Sequence, residues 1–117
     1  MSRGFILIGG RMIRYADFQK LDLRIGKVIS SVRIEGTDKL IKLEIDLGSE
    51  RRQIVAGMAE FFEPDYLIGK LVPIVVNLEP RRFKGLESQG MILAADVNGK
   101  PVLLHPETEV PSGTIIR

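Results

Sequence analysis

The sequence has no cysteine. Disulfide frameworks, thiolate zinc sites and cysteine nucleophiles are therefore excluded. It has one histidine, His105, which reads as a surface or packing residue rather than a general base, since no cysteine can pair with it. No phosphate-cradling G-x-x-x-x-G-K-[ST] loop and no G-x-G-x-x-G fingerprint occurs, and Ser88 in S-Q-G lacks the G-x-S-x-G elbow. The acidic pair Glu44/Asp46 shares one face of a strand and reads as a solvated face. No catalytic centre, metal site or cofactor site is expected. Long apolar runs are also missing. Phe5 to Ile8 is too short for a signal-peptide core or a membrane span. A soluble, cytoplasmic protein without a membrane partner is the expectation. Side-chain amides are few, which is compatible with a heat-loving source.

What is present fits one globular domain of 117 residues, 44% hydrophobic and 27% charged. The net charge of +2 implies no polyanion partner by itself. Its distribution is uneven. Residues 1–33 hold seven Lys/Arg against two Asp, while the remainder holds ten bases and thirteen acids. A polyanion site must then be a local patch assembled by the fold.

Most of the chain reads as strands. Leu23 to Val32 is one, with Gly26 inside it marking a bulge or bend. Ile41, Leu43, Ile45 and Leu47 alternate with Lys42, Glu44 and Asp46, as a half-buried strand requires. Arg52 to Ala56 follows a Gly-Ser-Glu turn, completing a meander. Met58, Phe61 and Phe62 have helical spacing, which Pro64 is expected to end. Strands return at Leu71 to Leu78, where Pro73 implies an edge or bulge position, and at Met91 to Val97. Asn98-Gly99 then signals a hairpin into Val102-Leu103-Leu104. Three meandering strands, a short helical link and two more strands suit an oligonucleotide-binding barrel, although a small sandwich would use the same strands.

Between the last two long strands lies Asn77-Leu78-Glu79-Pro80-Arg81-Arg82-Phe83-Lys84-Gly85-Leu86-Glu87-Ser88-Gln89-Gly90. A plain turn needs neither this length nor three clustered cations. Guanidinium and ammonium groups at Arg81, Arg82 and Lys84 suit a phosphate-sugar backbone, and Phe83 offers a ring for stacking.

Five blocks, in order, carry a resemblance: F-Q-K-L-D-L-R-I-G-K-V (18–28), T-D-K-L (37–40), R-Q-I-V-A-G (52–57), V-N-L-E-P (76–80) and K-G-L-E-S-Q-G-M-I-L-A-A (84–95). Together they resemble the tRNA-binding domain family, which includes the C-terminal domain of methionyl-tRNA synthetase, the stand-alone tRNA-binding protein and the endothelial monocyte-activating polypeptide II module. The resemblance implies an all-β fold: a five-stranded oligonucleotide-binding barrel with a short helix and a C-terminal β extension. It implies binding of tRNA largely by shape, as a homodimer, and a role without catalysis as a methionyl-tRNA synthetase beta chain or stand-alone protein. It points to Lys39, Arg52, Asn77, Lys84, Ser88 and Met91 as site residues. Lys39, Arg52 and Lys84 would meet phosphates, Asn77 and Ser88 sugar hydroxyls or base edges, and Met91 would form an apolar platform.

Some positions depart from the family. Arg33-Ile34-Glu35-Gly36 stands where members often carry His-Pro, and Ile41 where an aromatic is common. Residues 1–15 have no counterpart and read as an N-terminal extension to a domain over 16–117. A secretion-associated, chaperone-like branch of the family, binding extended peptides, is the alternative. The apolar tail Val102, Leu103, Leu104, Val110, Ile115 and Ile116 is expected to build the dimer interface, with packing onto its own barrel as the competing arrangement.

Overall fold

The structure, a computed structural model, describes residues 11–117. Most of the expected extension therefore lies outside the described residues. A four-residue helix α1 (Tyr15–Phe18) precedes the meander β1 (Leu23–Arg33), β2 (Ile41–Asp46) and β3 (Arg51–Ala56). Helix α2 (Pro64–Leu67) leads to β4 (Leu71–Val75), then β5 (Arg81–Phe83), β6 (Leu86–Ser88) and β7 (Met91–Ile92). A hairpin of β8 (Ala94–Val97) and β9 (Lys100–Leu103) and the short β10 (Ile115–Ile116) finish the chain. The main sheet runs β3-β2-β1-β4-β7, with β10 added to β1. This is the expected oligonucleotide-binding type of barrel, nearly closed. Among the described residues no helix is long and apolar enough to cross a membrane.

The core follows from the β2 alternation. Ile41, Leu43 and Ile45 are fully buried and pack with Val28, Ile54, Val72 and Ile74. Each such side chain contributes roughly 1.5–3 kcal/mol when removed from water. β1 serves both walls, pairing with β4 along Leu23–Lys27 and with β2 from Lys27 onward. Its register shifts between Val28 and Ser30, so the bulge falls beyond Gly26, where it was expected. Gly26 instead governs packing, since a Cβ there would overlap Ile45 and lie 3.0 Å from Ile74 Cγ1. The glycine lets the two walls approach.

Four further expectations are corrected. Phe61 and Phe62 both donate N–H to the Met58 carbonyl at 3.0 Å, forming a turn rather than a helix. Pro64 then opens α2, because at a first helical position its missing N–H costs nothing. Pro73 lies inside the sheet path, paired with Ile25 on β1. Its carbonyl takes the Leu93 N–H at 3.0 Å, just past two-residue β7, so its missing donor falls where that ladder stops. The run Met91 to Val97 is broken at Leu93, where the chain leaves the barrel for the β8–β9 hairpin. That hairpin turns on Asn98 (φ 53°) and Gly99 (φ 85°), the paired positive values of a two-residue turn.

The tail is divided. Gly113 N–H donates to the Ile25 carbonyl at 2.7 Å, and Ile25 N–H to that of Thr114 at 2.8 Å. Ile116 pairs with Leu23. The last residues thus complete the wall of their own barrel. Val102, Leu104 and Ile115 keep about half of their surface exposed. His105 donates from Nδ1 to the Leu71 carbonyl at 2.7 Å, tethering the segment after β9 to the start of β4.

Candidate nucleic-acid interface

The cation-rich connection is itself a hairpin. Arg81 pairs with Ser88, Arg82 with Glu87 and Phe83 with Leu86. Lys84 (φ 52°) and Gly85 (φ 80°) form its two-residue turn. A non-glycine residue at positive φ is uncommon, and here it puts the Lys84 ammonium at the tip. Arg81, Arg82 and Lys84 are all exposed. Among the described residues, salt bridges form at Lys20–Asp17, Arg24–Asp22, Arg33–Glu63, Arg51–Glu44 and Arg52–Glu50, none of them on this hairpin. Arg82 Nη1 donates to the Gly85 carbonyl at 3.2 Å, bracing the turn. The Arg81 guanidinium lies over the Phe83 ring, 4.9 Å from its centroid.

Beside the hairpin a cleft of about 450 Å³ opens between Leu40, Val55, Phe61, Arg81, Phe83 and Met91. Met91 is 38% exposed, so it is wall rather than core filler. Lys39 itself is not part of the lining: its neighbour Leu40 lines the cleft, and its carbonyl takes the Ala59 N–H at 3.0 Å. Of the expected residues, Arg81 and Met91 line this concave surface, Arg82 and Lys84 lie on the hairpin that borders it, and Lys39 precedes the lining residue Leu40.

The other three expected residues are used within the protein. Arg52 enters at the far end of β3, about 13 Å of strand from Ala56. Its Nε and Nη2 fork onto Glu50 at 3.1 and 3.2 Å. Its Nη1 donates to the carbonyls of Val76 at 2.6 Å and Gln89 at 3.3 Å. The hydrogen bond from Arg52, and then its charge, hold the Glu50 carboxyl below the usual carboxylate range. Asn77 Oδ1 accepts the Asp22 N–H at 2.8 Å, and its Nδ2 donates to the Lys20 carbonyl at 2.6 Å, clamping the lead into β1 against the end of β4. Ser88 is buried, with Oγ accepting the Val55 N–H and donating to the Gly90 carbonyl, both at 3.0 Å.

Two glutamines not singled out from the sequence complete this closure. Gln89 N–H donates to the Gln53 carbonyl at 2.8 Å, and Gln53 N–H donates to Gln89 Oε1 at 3.0 Å. Gln53 Nε2 also donates to the Glu87 carbonyl at 2.9 Å. The S-Q-G segment thus seals the outer edge of β3 and seats the cationic hairpin on the barrel. Residue type alone could not reveal this, since a glutamine in a loop and one bonded across a barrel seam look alike in sequence. Phe61 gives no sign of being a wall residue in sequence, because its spacing matches a buried helical face.

Nothing resembling a reaction centre comes together among the described residues. Glu44 meets Arg51 at 3.7 Å in solvent, and Asp46 Oδ1 accepts the Gly48 N–H at 2.8 Å. Among the described residues no group of three His, Asp or Glu side chains could hold a metal ion.

Residues 23–115 match the family described as "Putative tRNA binding domain". The methionine--tRNA ligase of Archaeoglobus fulgidus is 56% identical over 102 residues, 87% of this chain and 16% of the ligase. That of Methanothrix thermoacetophila is 52% identical over 106 residues, 91% of this chain and 16% of that ligase. The chain thus spans about one sixth of the length of these relatives. Among solved structures, a MetRS related protein from Pyrococcus horikoshii superposes with a TM-score of 0.87 at 40% identity, covering 92% of this chain and 99% of that one. Chaperone CsaA from Bacillus anthracis str. Ames superposes with a TM-score of 0.82 at 37% identity, covering 92% and 100%.

Proposed function

The chain belongs to the tRNA-binding domain family, and from that premise we propose that it binds tRNA by shape, through the β5–β6 hairpin and the cleft beside it. The observation that carries this reading is the hairpin: three exposed cations at its tip and flank, seated on the barrel by a hydrogen-bonded seam. Arg81, Arg82 and Lys84 contact phosphates together with Lys39, and Met91 supplies apolar surface. Arg52, Asn77 and Ser88 act indirectly, by holding the seam and the strand ends that present those groups. The protein does no chemistry of its own. It works in the cytoplasm, supplying tRNA affinity to a methionyl-tRNA synthetase or acting alone.

The same reading includes a homodimer. Its support is an apolar surface between α1 and β10, where Tyr15, Leu21 and Ile115 are each at least 46% exposed. A two-fold contact there would cover them and align two basic hairpins. Sedimentation of the parent and of Ile115→Glu tests it. A parent dimer that the variant turns into a folded monomer supports the contact, and a monomeric parent rules it out.

Titrating folded tRNA against a single strand of the same composition, at two salt concentrations, tests the main reading. Folded tRNA is expected to win, with anticodon swaps mattering little. Equal binding of both RNAs, or strong anticodon discrimination, overturns it. The likeness to a chaperone favours a second reading, a dimer that binds extended polypeptide in the cleft. Preference for an unfolded protein over tRNA would select it.

A further inference from the structure

We propose that the cleft beside the β5–β6 hairpin seats one unstacked nucleobase of the bound RNA, against Phe61 and Met91, with Arg81 in the same lining. The proposal rests on the tRNA-binding reading and adds to it a base subsite that phosphate contacts do not require.

Two apolar side chains point to it. Phe61 is 40% exposed and Met91 38%, yet both backbones are held, Phe61 by its bond to the Met58 carbonyl and Met91 by pairing with Val75. Half-exposed apolar side chains on anchored backbone, lining one concavity, form a platform for a flat ring whose ordering cost is confined to side-chain rotamers. Phe83 is not that platform, because the Arg81 guanidinium already lies over its ring. At about 450 Å³ the cleft is in the size range of small-ligand sites, large enough for a base with its ribose but not for a duplex.

Charge decides what enters. Arg81 lines the cleft, while Arg82 and Lys84 lie on the same hairpin without lining it, which suits a phosphate chain running past. Asp96, an exposed residue whose Oδ1 accepts the Gly99 N–H at 2.8 Å, is also part of the lining and has its second oxygen left to accept. A carboxylate there repels a phosphate but can accept a hydrogen from a base amino group. An anionic chain outside and an uncharged ring inside fit this arrangement. An apolar peptide side chain would fit the walls yet leave the rim cations without partners. Folded tRNA offers splayed loop bases of this kind, and stacking on apolar and aromatic surfaces tolerates any base, so the subsite is compatible with shape-based recognition.

The test is a double-mutant cycle. The parent protein and its Phe61→Ala and Met91→Ala variants are titrated with intact tRNA and with transcripts carrying an abasic site at each unpaired position in turn. For the parent, one position or one small cluster is expected to cost roughly five- to a hundredfold in affinity. That penalty should largely vanish in Phe61→Ala, whose binding of intact tRNA is weakened by a similar factor with an unchanged salt slope. Intact-tRNA affinity equal to the parent in both variants, or no sensitive abasic position, overturns the proposal. So does a Phe61→Ala variant that loses affinity for a reduced, unfolded polypeptide while keeping that for tRNA, which would make the cleft a peptide groove. A parent protein that binds no tRNA would instead sink the functional reading beneath it.

Discussion

Ser88 Oγ accepts the backbone N–H of Val55 at 3.0 Å across the seam where the barrel closes. The partner it needs is 33 residues away, on the outer edge of β3, which would otherwise present an unpaired ladder group. The hydroxyl donates its own hydrogen to the Gly90 carbonyl. One small side chain thus satisfies two backbone groups and fixes the base of the cationic hairpin.

Ser88→Ala should therefore destabilise the fold, by about 1–3 kcal/mol, because both backbone groups lose their partner in a buried place. Urea unfolding should show a lower midpoint with an unchanged slope. RNA affinity should fall, while the salt slope stays that of the parent. A variant as stable as the parent would remove Ser88 from the seam.

Lys84→Asn separates charge from turn geometry. Asparagine tolerates the positive φ at this position, so the hairpin should persist while one cation disappears. The slope of log K against log salt should drop by about 0.7–0.9 for one lost phosphate contact, with similar weakening for different tRNAs. An unchanged slope would show Lys84 to be merely solvated.

Arg52→Lys gives the opposite pattern. The charge remains, but a lysine cannot fork onto Glu50 and also reach the Val76 and Gln89 carbonyls. Stability should fall by about 1.5–3 kcal/mol, the range for a hydrogen bond involving a charged group, and the salt slope should not move. A reduced slope with unaltered stability would place Arg52 on the RNA instead.

Glu50 gives the fold a pH dependence of defined sign. Its carboxyl is held below the ordinary range in the folded chain by the Arg52 hydrogen bond and charge. Its contribution is therefore complete above the unfolded-state value and is lost as pH falls through the lower folded one. The group is open to solvent, so salt should weaken the effect. Glu50→Gln should flatten that part of the acid limb in urea titrations run from about pH 6 down to about pH 3; an unaltered limb would contradict the coupling.

Gly26→Ala tests the close approach of the walls. A methyl group overlapping Ile45 and crowding Ile74 should cost about 1–3 kcal/mol through overpacking. Melting that matches the parent would mean the walls can part without penalty.

The alternation of Ile41, Leu43 and Ile45, the Asn98-Gly99 turn and the cluster Arg81, Arg82, Lys84 are local patterns. Local patterns survive in a linear sequence, because strand period, turn conformation and charge density depend on near neighbours. From them the meander, the β8–β9 hairpin and the cationic connection were all legible. The five motif blocks added the family. The rest depended on distance through space. Whether Gly26 bends a strand or admits Ile45, and whether Pro64 ends or begins a turn, is settled by what packs across from them. The division among the expected site residues has the same origin. Arg52, Asn77 and Ser88 are as polar in sequence as Lys39 and Lys84, but their donors and acceptors meet carbonyls and amides 24 to 57 positions away. Only closure of the barrel brings those groups within hydrogen-bonding reach, and that closure engages Arg52, Asn77 and Ser88 in the frame of the protein.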